Sequence, residues 1–445
     1  MARDSFTDAV YNLKAVVAQT GVTAHALRAW ERRYGLPQPG RTEAGHRVYS
    51  RRDIDMILWL VARQEEGLRI GHAVSLWRSL EEDGLDPLAA MHITEHETKE
   101  PQGDRIVDFQ REWVSACLSF DERSADELVT RALATYPLQT VVSQVVREGI
   151  AQIGQGWYEG QVTPQQEHFA SSLAIRRVES MVWSTPAPTR RGRVLIASPP
   201  HEIHTLGPMM LELFLRRAGW EATHLGADVP LDGLASTISA TRPRLVILGA
   251  QTIRTAAELL HVATAIRSED GLVGFGGGIF NRVPRLRKRI PGHFLGTTLE
   301  DAAVEVETIM VSTPQVAQVE EVGGVYRDAL SCCSDQLLRL QTSVWTDLQP
   351  GEADRSVLRD LNAEFVQVVV AALKLGDTTL AGEYLDWVEG RGDHQRVRRD
   401  LLRRYLDAYR QAVETHMGAN GTLIVEWLDG WMGREHDALA GKESA

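Results

Sequence analysis

Residues 193–207 read Arg-Val-Leu-Ile-Ala-Ser-Pro-Pro-His-Glu-Ile-His-Thr-Leu-Gly. Val194–Ala197 is a short apolar run of the kind that forms a strand buried on both faces. The proline pair at 199–200 ends it. The stretch that follows, TLGPMMLELFLRRAG (205–219), has helical spacing and closes on a glycine. A strand that hands a polar loop to a helix puts Glu202 and His204 at the carboxyl edge of a parallel sheet. Doubly wound folds hold their ligands there.

Outward from this stretch the pattern repeats. EATHLG (221–226), RLVILGA (244–250) and LVGFGGG (272–278) are strand-like runs separated by helical segments. Their alternation predicts a Rossmann-like, flavodoxin-like α/β domain over 192–312. Upstream, TPAPTRRG (185–192) marks a break. Before it, 104–186 keeps a helical period (Ile106, Phe109, Trp113, Val114, Cys117), which predicts a helical domain. Residues 84–103 and 312–323 read as linkers. Residues 8–82 read as short helices with one wing. Residues 324–436 read as an all-helical domain with breaks at QPGE, LGD, GRGDH and GANG. The expected fold class is therefore multidomain, α and α/β.

Bulk composition narrows the class. At 445 residues the chain is long enough for about three domains. It has no apolar run long enough to span a bilayer and no basic-then-apolar leader, so a cytoplasmic protein is expected. Three cysteines, two of them adjacent (Cys332, Cys333), make neither a disulfide framework nor a zinc set. Net charge is −12, but it is unevenly spread. Residues 1–80 carry 12 Lys and Arg against 8 Asp and Glu. Between Arg28 and Arg52 there are seven arginines and two acids. A basic patch on an acidic chain fits a discrete nucleic-acid-binding module.

In that module, NLKAVVAQTGV reads as a helix and a glycine turn. Thr23 then reads as the N-cap of AHALRAWERRYG, which carries Arg28, Arg32 and Arg33. RTEAGHRVYSRRDI reads as a two-stranded wing turning at Gly45, with Arg41 and Arg47 on its arms. The arginine fork suits phosphates and guanine edges. The order and the signature LRAWERRYGL…R…GHRVYSRRDID resemble the MerR family over about 70 residues. The resemblance implies a winged helix-turn-helix that binds operator DNA as a dimer, with Thr23, Arg28, Arg32, Arg33, Arg41, Arg47 and Tyr49 as the DNA-facing residues. The long dimerisation helix usual in that family is not evident, so another part of the chain must hold the oligomer.

Glu202-x-His204-x-x-Gly207 resembles the D-x-H-x-x-G motif of cobalamin-binding domains. The resemblance implies that His204 replaces the cofactor's own base as lower cobalt ligand and that Glu202 orients the imidazole. It also implies that Gly207 lets the helix approach the buried nucleotide tail. The family expects a serine near the next strand end; here Gly249-Ala250-Gln251 stands there, with Gln251 or Thr252 as possible substitutes. The expected later glycines are Gly276, Gly277 and Gly278. In the helical segment, Trp157 followed nine residues later by Glu167-His168 resembles the signature of light-sensing regulators of the CarH/LitR type. That likeness implies a four-helix cap whose Trp, Glu and His contact the adenosyl group of adenosylcobalamin. It also implies a histidine after the Trp as the upper ligand once light has acted. Tyr158 stands at that position and is a poorer cobalt ligand, with an ordinary pKa of about 10.

The C-terminal helical block leaves two readings open. One is an interaction or oligomerisation bundle. The other, by its resemblance to photocobilins, is a bilin-binding domain holding biliverdin or a similar linear tetrapyrrole. In that reading Trp345, Tyr384, Trp387, Tyr405, Tyr409, Trp427 and Trp431 supply walls, and Arg396, Arg398, Arg399, Arg403 and Arg404 supply propionate partners. Cys332 and Cys333 would offer thiols for attachment, although non-covalent binding is expected. His394 and His416 add no signal of their own. Three functions follow: a light-responsive regulator that changes assembly and DNA affinity without turnover, a dark cobalamin or redox sensor, and a corrinoid carrier of the methyltransferase type. The first is favoured because the chain starts with a DNA reader and shows no catalytic partner domain.

Overall fold

The computed structural model describes residues 11–20, 22–41, 47–65, 68–82, 103–312, 314–316, 319–352, 354–390 and 397–443. The chain divides into two compact units, residues 1–150 with 172–187 and residues 151–171 with 188–445.

The first unit opens with β1 (Tyr11–Asn12), α1 (Leu13–Thr20), α2 (Ala24–Tyr34), β2 (Gly40–Arg41), β3 (Arg47–Tyr49), α3 (Arg51–Glu65) and α4 (Ile70–Glu82). Thr23 caps α2 as its sequence position suggests: its hydroxyl accepts from the Ala26 amide at 3.2 Å. Gly35, at φ +69°, closes the same helix in a left-handed turn. The wing strands pair antiparallel with Arg41 opposite Arg47, and β1 adds a third strand that the sequence does not announce. Gly45, the expected wing turn, and most of the expected 84–103 linker lie outside the described residues. Leu27, Trp30, Ile54, Trp59 and Trp77 form the small core, with the Trp59 and Trp77 rings edge to face at 5.3 Å.

The helical segment after it holds α5 (Gly103–Leu118), α6 (Glu122–Thr135), α7 (Leu138–Thr140), a π-helical stretch Val141–Arg147, α8 (Glu148–Tyr158) and α9 (Pro164–Trp183). α7, the π stretch and α8 run on without a break, so four rods result. A Cβ on Gly149 would come within 2.7 Å of the Trp113 ring, so glycine is what allows this rod against α5.

In the second unit, β4 (Arg193–Ala197), α10 (Leu206–Arg217), β5 (Glu221–His224), α11 (Leu234–Thr241), β6 (Leu245–Gly249), α12 (Ile253–Ser268), β7 (Val273–Gly276), α13 (Gly278–Arg282), β8 (His293–Phe294) and α14 (Leu299–Ser312) follow in turn. All neighbouring strands are parallel, in the order β5-β4-β6-β7-β8. The order reverses at β4, so the crevice lies outside the carboxyl ends of β4 and β6. Side-chain alternation splits the core. Val194, Ile196 and Ile247 face α10 and α14, while Leu195, Ala197, Val246 and Leu248 face α12.

The remaining helices are α15 (Gly324–Leu348), α16 (Arg355–Lys374), α17 (Ala381–Gly390), α18 (Arg399–Met417) and α19 (Thr422–Glu443). Phe365 on α16 centres their core, with the Tyr405, Tyr409 and Trp427 rings 5.8, 5.0 and 6.3 Å away. These helices do not stand apart. α16 packs on α12, and their buried apolar residues form one continuous cluster with the α12 face of the sheet. Ion pairs rim the seam: Lys374 to Glu258 at 2.8 Å, Arg254 to Glu364 at 3.2 Å, and Arg285 to Asp377 at 2.8 Å.

Candidate functional site

The loop from β4 to α10 is held in one shape. His201 sits at φ +67°, a region costly for a side-chain-bearing residue. The carboxylate of Asp228 accepts from the His201 amide at 2.7 Å, and the Asp228 amide donates to the Glu202 carbonyl at 2.9 Å. Glu202 itself is only 2% exposed. One of its oxygens lies 2.6 Å from Nδ1 of His204 and accepts from the His204 amide at 3.0 Å. The other accepts from the Gln251 amide at 2.7 Å and from the Thr255 hydroxyl at 2.8 Å. Burial alone would push the Glu202 carboxyl up; the bonds from His204, Gln251 and Thr255 outweigh it and hold the group below its ordinary value. The same hydrogen bond raises His204, against the effect of burial, and the charges of Glu202 and Glu167 add to it.

The result is an exposed imidazole whose Nδ1 is fixed and whose Nε2 points away from its carboxylate. Metal-binding histidines are commonly prepared in this way. Around it, glycines leave open space. A Cβ at Gly207 or Gly276 would meet nothing within 4 Å, and one at Gly249 only Pro208, at 3.8 Å. The residues present therefore fit a corrinoid: His204 for cobalt, and a glycine-lined crevice beside it for a tail.

The other expected contacts divide. Gly277, at φ +116°, has no room for a Cβ, which would fall 2.1 Å from the Ala250 carbonyl oxygen; Gly278 is closed by Gln251. These two glycines let the β6 and β7 loops touch and do not open the crevice. Gln251 accepts from the Gly278 amide at 3.0 Å, and Thr252 is committed to a capping box on α12. The Gly278 bond uses the Gln251 side-chain oxygen and not its N–H2 group. Trp157 is half-buried. The Glu167 carboxylate takes the Ser171 hydroxyl at 2.7 Å and lies 2.6 Å from Nδ1 of His168, whose side chain is 80% exposed. Thr255 and Asp228 escaped sequence reasoning, because their reach to the loop is set by strand order and not by spacing.

A cavity of about 910 Å³ opens beside the His204 loop. Its other walls are the start of α12, Arg282, and Leu361, Tyr384, Trp387 and Val388 of α16 and α17. This changes the picture of the C-terminal block. Tyr405, Tyr409 and Trp427 are core residues and do not line the cavity. Arg398 and Arg399 are exposed and paired with Asp354 and Glu389, Arg403 and Arg404 are exposed, and His394 and Arg396 lie outside the described residues. The Cys333 thiol is fully buried and pushed up to about 12, which argues against covalent attachment there.

In the head, Arg28, Arg32 and Arg33 are exposed on α2. Arg47 is turned onto Glu31, with two bonds of 2.9 and 3.3 Å. Tyr49 does not face DNA: at 2% exposure it is part of the core, because the alternation of β3 points it inward. The Arg41 side chain lies outside the described residues.

A winged helix-turn-helix ahead of a helical domain and a crevice of this kind defines a DNA-binding regulator with a corrinoid-binding module. Comparison with known proteins agrees. The MerR HTH regulatory protein family matches residues 11–80, and two B12 binding domain families match residues 110–180 and 192–318. The transcriptional repressor CarA of Myxococcus xanthus is 32% identical over 266 residues, which cover 56% of this chain and 80% of CarA. CarH of the same organism, also a transcriptional repressor, is 29% identical over 257 residues, covering 58% and 84%. The monomethylamine corrinoid protein of Methanosarcina barkeri aligns in structure over 45% of this chain and 99% of its own, at 14% identity and a TM-score of 0.39. The chain belongs to the MerR-type, cobalamin-binding transcriptional regulators related to CarA and CarH. Among the described residues, no helix is long and apolar enough to cross a membrane.

Proposed function

We propose that the protein is a light-gated regulator that binds operator DNA as a homo-oligomer and acts without turnover. Its cofactor is adenosylcobalamin, held by His204. The observation that carries this reading is the Glu202–His204 pair at the sheet's switch point, in the same compact unit as Trp157, Glu167 and His168. When bound, the cofactor supplies a light-sensitive cobalt–carbon bond. His204 would hold the cobalt of the corrin, and Trp157, Glu167 and His168 would contact its adenosyl group. Tyr158 stands where the resemblance places a histidine and would be a poorer cobalt ligand, with an ordinary pKa of about 10. The names of CarA and CarH support repression as the output. Absorbance, size and operator affinity of the loaded protein, measured before and after green light, test the reading. Changes in all three support it. A spectrum indifferent to light leaves a dark cobalamin sensor, and methyl transfer from the corrinoid would favour a carrier.

A second chromophore is favoured by the cavity beside His204. Its size falls in the usual range for small-molecule sites, roughly 300–1,000 Å³. Tyr384 and Trp387 offer aromatic walls, and Arg282 offers a cation for a propionate. A bilin would then lie between the His204 loop and α16–α17, not inside the C-terminal helices. Full-length protein supplied with biliverdin should show a red band, which Trp387→Ala or Arg282→Ala should diminish while cobalamin binding persists. A chain that stays without that band removes the bilin.

A further inference from the structure

We propose that the Ser198 hydroxyl receives the heterocyclic base of the cobalamin tail; the proposal rests on cobalamin binding with His204 as cobalt ligand. Once His204 holds the metal, the base that would otherwise bind cobalt is released, and its ring nitrogen carries a free lone pair. A nitrogen buried in an apolar crevice needs a donor. Glycine stands at 249, where the motif would place a hydroxyl. Of the nearby hydroxyls, Thr252 is committed to its helix cap and Thr255 to Glu202, while the Gln251 side chain is turned with its oxygen onto the Gly278 amide.

Ser198 is different. It is 0% exposed, and among the described residues it is the one buried Ser or Thr hydroxyl without a partner. Its backbone continues the pairing of β4 with the β5 side: its amide donates to Gly226 and its carbonyl accepts from Val229. Ile196 uses the same side, with its carbonyl accepting from Leu225. Ser198 therefore projects on the same sheet face as Ile196, toward α10. Since Ala197 pairs with Leu248, Ser198 stands beside Gly249, and Gly249 pairs with Gly276. One row across the carboxyl edge thus reads Ser198, Gly249, Gly276: a hydroxyl followed by two open positions. His224 also has a buried nitrogen without a partner, but it pairs with Ile196, one step further from the edge.

The test compares two corrinoids on the full-length protein. Cobalamin has the nucleotide tail; cobinamide has the same ring and lacks it. Ser198→Ala should weaken cobalamin binding about tenfold, the scale of one hydrogen bond with its buried acceptor left unpaired. It should leave cobinamide affinity unchanged, and Ser198→Thr should restore cobalamin binding. Equal affinities of wild type and Ser198→Ala for cobalamin would overturn the proposal, as would an equal loss for both corrinoids. His204→Ala separates the two layers. If it weakens both ligands while Ser198→Ala weakens neither, only the Ser198 assignment fails. If wild type binds neither corrinoid, the cobalamin reading fails with it.

Discussion

Glu202 and His204 are two residues apart and share a 2.6 Å contact between carboxylate and Nδ1. The Glu202 carboxylate is also a junction, since its second oxygen joins the β6 end at Gln251 to the first turn of α12 at Thr255. His204 is thus fixed, through Glu202, to three segments of the sheet domain at once. His204→Ala should abolish or greatly weaken cobalamin binding and alter its visible spectrum. Glu202→Gln keeps the shape and removes the charge, so affinity should fall by roughly 10–100-fold. Titration of both variants with cobalamin, followed by absorbance, checks this. An unchanged spectrum in His204→Ala would remove the basis of the site.

The head makes a separate prediction. Arg28→Ala should weaken operator binding, reduce the salt dependence by about one phosphate contact and leave cobalamin affinity intact. Tyr49→Ala should act through stability instead, because Tyr49 is buried. Binding isotherms at several salt concentrations, beside melting curves, distinguish the two effects. A salt slope that is unaltered in Arg28→Ala would mean that α2 does not face the backbone of DNA.

Trp157 is half-buried, so its removal should be tolerated by the fold. Trp157→Ala should still bind cobalamin through His204 but should assemble less in the dark. Scattering measurements in dark and light report the oligomer. Two states identical to those of wild type would show that Trp157 does not pass the signal on.

Acid should loosen the sheet domain. His224 and His293 each bury Nε2 without a partner. Burial holds both below their ordinary value of 6.5, helped at His293 by the Arg267 charge. Unfolded chains take up protons near that value sooner than the folded one does. Stability is therefore full above about pH 6.5 and declines as pH falls toward the depressed folded values. Two groups work in the opposite direction: His204, raised by its bond to Glu202, within the same window, and Glu212, raised by burial, nearer the carboxylate range. Melting temperature should drop by several degrees between about pH 7.5 and 5.5. The double variant His224→Gln, His293→Gln should flatten that slope; an identical slope would assign the acid response to other groups.

Legibility in the sequence followed the range of the interaction. The Thr23 cap, the run of parallel strands and the Glu202–His204 loop are local, so composition and spacing expose them. Tyr49 was misjudged as a DNA contact because a lone aromatic on a three-residue strand gives no hint of which face it takes. The glycine run at 276–278 looked uniform, yet only Gly276 leaves open space, a distinction that depends on how closely the β6 loop approaches. The sequence shows the C-terminal helices only as an all-helical domain, since their amphipathic spacing says no more than that one face is covered. What covers it, the outer side of α12, lies some 100 residues earlier, beyond the reach of any periodicity. Arg398, Arg399, Arg403 and Arg404 are solvated, the first two in ion pairs, and the cations that do line the cavity, Arg254 and Arg282, come from the sheet domain.

The common core of α12 and α16 has a thermodynamic consequence. Two bodies that share buried surface cannot melt independently without baring it, so the sheet and helices α15–α19 should unfold in a single calorimetric transition. Whatever binds at His204 then lends its free energy to both. Occupancy of a loop at residues 201–204 should slow proteolysis of helices more than 150 residues further along the chain, although none of their bonds to one another has changed.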